Sequence, residues 1–162
     1  MTDESKAKPK NEFRIWVDAD ACPGALKDIL FRTAKRLEIS LTLVANAGMH
    51  CPKSKWIRLE LVPHGADAAD HWIVETMSPG DLVITGDIPL AARVVEKDGI
   101  AIGTRGEVFD DASVHDRLAT RNLMEQFRSA GVETSGPKPL SQKDVQAFAN
   151  SLDRWLVRRL RG

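Results

Sequence analysis

An α/β fold in three layers, α/β/α, around a mainly parallel central sheet is the architecture this chain predicts. Three observations predict it. Short apolar runs of the buried-strand kind alternate with stretches of helical periodicity, the pattern of repeated strand–helix units. Asp, Gly and Pro punctuate most changes of periodicity. The chain has 162 residues, 43% hydrophobic and 28% charged, which suffices for one domain with a substantial core.

Residues 1–12, MTDESKAKPKNE, are polar and charged and predict a disordered tail. They lack the apolar centre of a secretory leader, and no run in the chain approaches membrane-spanning length. Residues 13–162 then form a single α/β domain. The first strand, FRIWV at 13–17, ends in the turn Asp18-Ala19-Asp20. A helix follows, with Pro23 in its first turn, where a missing N–H costs nothing. Leu26, Ile29, Leu30, Ala34 and Leu37 recur along it at helical spacing. The second strand is ISLTLVA at 39–45. Residues 46–55 read as a loop, and a further strand is expected near 59–62. Residues 67–77 predict a helix with Asp67, Asp70 and His71 on one face. A buried strand at 81–84 runs into Thr85-Gly86-Asp87, and Pro89 opens a helix that lasts to Glu96. Residues 100–103 are the last strand the pattern supports. A helix is expected from about 113 to 130, then a Gly- and Pro-rich loop at 133–140. The final helix begins at Ser141, an N-cap with Asp144 three residues on. Its stripe of Val145, Phe148, Ala149, Leu152, Trp155, Leu156 and Leu160 predicts packing on the domain, with a homodimer as the other use.

Lys plus Arg number 23 and Asp plus Glu 23, so the formal net charge is zero. Charge alone gives no case for non-specific nucleic-acid or membrane binding. Cys22 and Cys51 form no CxxC pair and no disulfide framework, which fits a reducing, cytoplasmic setting. Arg154, Arg158, Arg159 and Arg161 cluster at the chain's end, where they either meet phosphates or form a solvated basic face.

The chemistry suggested by the pattern is acidic. Open parallel sheets bind ligands outside the carboxyl ends of their strands. Asp18 and Asp20 follow the first strand and Asp87 follows the fourth, while Asp67 and Asp70 open a helix. Carboxylates are hard ligands suited to Mg²⁺ or Mn²⁺. Aspartate is also an ordinary turn and N-cap residue, and Asp20 or Asp87 can simply cap the helix that follows. Thr85 either binds a phosphate oxygen or metal-bound water, or ends its strand. Arg105 can hold a phosphate through a bidentate fork, or is a surface arginine. Lys53 and Lys55 can touch a nucleic-acid backbone, or are a solvated pair. Arg121, in an otherwise amphipathic helix, reads as a buried salt-bridge partner. His50, Cys51, His64, His71 and Cys22 lack the tight spacing that zinc requires. Cys22 is either a thiol activated by the following helix start or an inert buried one.

Specific motifs carry a resemblance. VDADACP at 17–23, GADAAD at 65–70, DLVITGDIPLA at 81–91, TRG at 104–106 and SGPKP at 135–139 resemble the signature segments of the bacterial YaiI/YqxD family. That family is similar to PIN and NYN nucleases, which place an Asp after the first strand and a Thr-x-Asp turn after a later one. The resemblance implies a PIN-like fold, with Asp18 and the Thr85-Gly86-Asp87 turn in those places and Asp67 or Asp70 as the further acid. It implies a divalent-metal-dependent nuclease, acting on RNA, in which metal-activated water attacks a phosphodiester. Asp18, Asp87, Asp67 and Asp70 would be catalytic. They and Asp20 would hold the metal, and Thr85, Arg105, Lys53 and Lys55 would bind substrate. Two other functions fit the residues. A haloacid-dehalogenase-like phosphatase would use Asp18 as nucleophile and Asp20 as acid, with Thr85 on phosphate and Asp110 or Asp111 at the metal; against it, Ala-Cys-Pro follows Asp20 where that family usually has Gly-Thr, and Lys97 is the only lysine between the fourth strand and that pair. A non-catalytic nucleic-acid- or protein-binding module would keep the fold without turnover.

Overall fold

The computed structural model describes residues 12–65, 67–133 and 139–161. The expected tail at 1–12, but for Glu12, lies outside them, as do residues 134–138 of the expected loop. Six strands form one sheet: β1 Ile15–Asp18, β2 Leu41–Ala45, β3 Ile57–Leu61, β4 Leu82–Ile84, β5 Ile100–Ile102 and β6 Val108–Phe109. Their order is β3-β2-β1-β4-β5-β6. The first five run parallel and only β6 is antiparallel.

Alternation along the strands sets the layers. Ile15 and Val17 face one side with Leu41, Leu43, Leu82 and Ile84. Helices α1 (Gly24–Leu37) and α5 (Gln142–Arg161) cover that side through Leu26, Leu30, Phe148, Leu152 and Leu156. Trp16, Val44 and Val83 face the other side. There α2 (Ala68–Thr76), α3 (Ile88–Glu96) and α4 (Asp111–Ser129) close the core with Ile73, Leu90, Val94 and Val114. The three-layer α/β/α fold and its parallel sheet are therefore as expected.

The helix ends follow their caps. Ser141 and Asp144 form a reciprocal capping box: the Asp144 N–H donates to Ser141 Oγ (3.1 Å) and the Ser141 N–H to Asp144 Oδ2 (3.0 Å). A second box, Asp110 with Ser113, starts α4 two residues before the expected 113. Asp87 caps α3 by accepting the Leu90 N–H at 3.1 Å.

Two features decide what reaches each sheet edge, and the first of them, β6, departs from expectation. The antiparallel β6 is too short to show a strand period, and it returns the chain so that Val108 faces Ile102 and Phe109 faces Ala101. The β2–β3 connection has no helix; it returns to the amino edge, where Ile57 is in register with Leu41 and the Trp56 carbonyl accepts the Leu41 N–H.

The turn at Gly103–Glu107 packs against α5. Gly106 has φ of +92°, and a Cβ there would lie 2.7 Å from the Ala147 carbonyl oxygen, so only glycine fits. No helix among the described residues is long and apolar enough to cross a membrane.

Candidate acidic site at the carboxyl edge

The strand order reverses between β1 and β4. From β1 the chain goes to β2 through α1 on one face, and from β4 to β5 through α3 on the other. The two connections diverge and leave a crevice at the carboxyl ends of these strands, the usual ligand position in open α/β sheets. Asp18 and Thr85 stand there in the same alternation phase as Trp16 and Val83, so both side chains lie on the α2/α3/α4 side.

Thr85 is 2% exposed and ties the site together. Its hydroxyl donates to Asp18 Oδ2 at 3.0 Å and accepts the Asp87 N–H at 3.0 Å. One side chain thus fixes the Asp18 carboxylate and the backbone of the Thr-Gly-Asp turn together. This is more than a strand terminus requires.

The acids act on one another. Burial pushes the Asp18 carboxyl above the ordinary range against the pull of the Thr85 hydrogen bond, and the charges of Asp87 and Asp20 add to the rise. Asp70, in the first turn of α2, is pushed up to about 6 by burial and then by Asp87, Asp18 and Asp67, with Arg93 opposing. Asp18, Asp70 and Asp87 thus share one electrostatic neighbourhood although they come from three elements. Asp87 serves two readings at once, since it caps α3 and also carries charge into this cluster.

Other expected residues take different places. Asp20 is exposed on the rim, where its Oδ2 accepts the Asn46 N–H at 2.8 Å. Asp67 is exposed at the N-cap of α2 with φ of +63°, and its side chain makes no capping bond. Arg105 reaches the carboxyl edge, but Asp144 of α5 holds it in an ion pair. Lys53 and Lys55 flank Ser54, which bridges to Ile57 at the start of β3. The parallel return of β3 therefore carries both lysines to the amino edge, away from the aspartates, and Lys55 sits over the Trp56 ring at 5.0 Å. Arg121 is exposed on α4 and is no buried ion-pair partner.

A cleft of about 540 Å³ opens on the site, lined by Asp18, Ala21, Gly86, Asp87, Ile88, Thr104 and Arg121. Thr104 and Arg121 were not among the substrate-binding residues expected from the sequence. Helix length accounts for Arg121. Ten residues of α4 at about 1.5 Å each span the length of a short strand, so a helix that starts at the amino edge delivers Arg121 to the carboxyl edge. The signal was unreadable without β6.

The donor set limits the possible metals. Among the described residues, no three His, Cys, Asp or Glu side chains are arranged to hold an ion between them. Zinc does not fit: His71 Nδ1 is 3.0 Å from the Arg93 guanidinium, and burial pushes the Cys22 thiol up to about 12. Mg²⁺ or Mn²⁺ fits, because Mg²⁺ commonly takes one or two carboxylates and fills its shell with water and phosphate oxygens. Asp18 and Asp87, which line one cleft, are the residues that would hold it, and Asp70 adds its charge to the same neighbourhood.

The phosphatase arrangement is dispersed. β6 returns Asp110 to the amino edge, where it caps α4, and Asp111 follows it. Lys97, at the end of α3, donates to the Val74 carbonyl.

Residues 16–158 match a family described as "Uncharacterized BCR, YaiI/YqxD family". A UPF0178 protein of Aeromonas hydrophila is 53% identical over 144 residues, which covers 89% of this chain and 96% of that protein. A UPF0178 protein of Dechloromonas aromatica is 53% identical over 145 residues, 90% of this chain and 97% of the relative. One from Acidithiobacillus ferrooxidans is 55% identical over 144 residues, 89% and 98%. No solved structure matches the chain significantly.

Proposed function

The chain belongs to the YaiI/YqxD family, and we propose that it is a divalent-metal-dependent nuclease that hydrolyses RNA phosphodiesters at the carboxyl edge of its sheet. One observation carries this reading: the Thr85 hydroxyl joins Asp18 to the backbone of Asp87 at the β1/β4 crevice, and the charges of both act on Asp70. Mutually repelling carboxylates at an open ligand edge are costly to keep unless a cation meets them.

Mg²⁺ or Mn²⁺ supplies, when bound, an acidified water and positive charge for the leaving oxygen. The chain's own groups do the rest. Thr85 holds Asp18 in one orientation and fixes the backbone of Asp87. The cap to Leu90 holds the Asp87 side chain. Asp70 adds its negative charge to the neighbourhood of Asp18 and Asp87. No side chain attacks phosphorus in this reading.

The test is cleavage of single- and double-stranded RNA and DNA oligonucleotides with Mg²⁺, with Mn²⁺ and with a chelator, using the parent and the Asp18→Asn and Asp87→Asn variants. RNA cleavage that needs the ion and is lost in both variants is the expected result. Ion binding without turnover of any oligonucleotide overturns the nuclease reading and leaves a binding module.

A further inference from the structure

We propose that Arg121 holds a substrate phosphate in the cleft that it shares with Asp18 and Asp87, with the Thr104 hydroxyl beside it. The inference rests on the nuclease reading, whose grip on the substrate it names. An acidic edge repels a nucleic-acid backbone, so a working site needs a fixed cation on the approach as well as any bound ion. Among the described residues that line the cleft, Arg121 is the one cationic side chain.

Its neighbours on α4 are held in ion pairs away from the cleft. Arg117, one turn earlier, is paired with Glu107 and lies over the Phe109 ring at 5.7 Å. Arg128 is paired with Glu125. Arg121 acts on Glu125, one turn later, through its charge, and its side chain stands exposed in the cleft that Asp18 and Asp87 line. The sheet order β1-β4-β5 places Asp18, Asp87 and Thr104 in sequence across the edge, with α4 beyond. A cleft of about 540 Å³ lies within the range of small-ligand sites, roughly 300–1,000 Å³. A phosphodiester seated there presents oxygens to the aspartate side, through a cation, and to the guanidinium fork on the other.

The experiment has two arms. Fluorescence anisotropy follows a labelled single-stranded oligoribonucleotide with Mg²⁺, from roughly 50 to 200 mM salt, binding to Asp18→Asn and to Asp18→Asn/Arg121→Ala. Steady-state kinetics compares the parent with Arg121→Ala and Arg121→Lys. Removing Arg121 should weaken binding and raise KM about tenfold or more, with a smaller change in kcat. The salt slope should fall by about one phosphate contact. Arg121→Lys should recover part of the loss, since lysine keeps the charge but not the fork. The melting temperature should not move, because the side chain is exposed. Unchanged affinity and salt slope on losing Arg121 overturn the proposal, as does absence of binding by both proteins. If the parent cleaves nothing, the nuclease reading fails on that result alone, and the anisotropy arm still decides Arg121.

Discussion

Asp81 and Asp18 stand at opposite edges of the same sheet and have opposite surroundings. Asp81, just before β4 at the amino edge, is 2% exposed. Its Oδ1 accepts the Arg14 N–H (3.0 Å), and its Oδ2 accepts the Trp16 indole N–H and the Ser78 N–H (both 2.9 Å). These bonds tie β1 to the turn that enters β4. Asp18, at the carboxyl edge, is half-buried, accepts from one hydroxyl and faces other carboxylates. Donors surround the first acid, so its oxygens are satisfied by the fold. Acids surround the second, so its charge awaits a partner from outside. Burial alone does not separate a structural aspartate from a working one; the sign of the neighbouring groups does.

The comparison can be broken most forcefully at Asp81. Asp81→Ala leaves three donors without their acceptor and should cost about 4 kcal/mol, read as a lower midpoint in urea denaturation. At the other edge, Asp18→Asn should reduce metal-dependent cleavage on the order of 100-fold or more, since outer-shell losses alone reach that range. It should leave the urea midpoint of the ion-free protein equal or higher, because it removes repulsion.

Asp70 sharpens the contrast through pH. Its folded pKa of about 6 lies above the ordinary carboxyl value of 3.8, so the folded protein binds the extra proton between these values. This group's contribution to stability is complete below the lower value and is lost as pH rises through the higher one. The loss should be about 1 kcal/mol once solvent screening of a half-exposed group is allowed for. Asp70→Asn should abolish that slope in ion-free unfolding measurements between pH 4 and 6.5, a window set by the two values. The smallest effect belongs to the amino edge: Lys53→Ala and Lys55→Ala should leave KM for an oligoribonucleotide within about twofold, since neither removes a phosphate contact.

The carboxyl-edge aspartates were legible because β1, β2 and β4 are apolar runs that stop at polar turns. Helix α5 was legible from its capping pair and stripe. For Asp87 the sequence offered a cap or a site, and the side chain serves as a cap while standing in the acidic cluster. What stayed hidden depends on chain reversals. Two residues of β6 carry no period, so neither the origin of α4 nor the arrival of Arg121 could be read. A helix-free crossover returned Lys53 and Lys55 to the amino edge against expectation. Asp81 passed unremarked because its donors, Arg14, Trp16 and Ser78, come from two segments that only the β1–β4 pairing brings together.

The most direct test of the acidic site as a cation site is the melting temperature of the parent, Asp18→Asn and Asp87→Asn at pH 7.5, above the Asp70 pKa of about 6, titrated with Mg²⁺ and with Mn²⁺. An ion at tenfold excess over its Kd adds about 1.4 kcal/mol, roughly 3–6 °C for a domain of this size. The account predicts that rise in the parent and its loss in both variants. A parent whose melting temperature ignores both ions, or variants that rise as much as the parent, would contradict it.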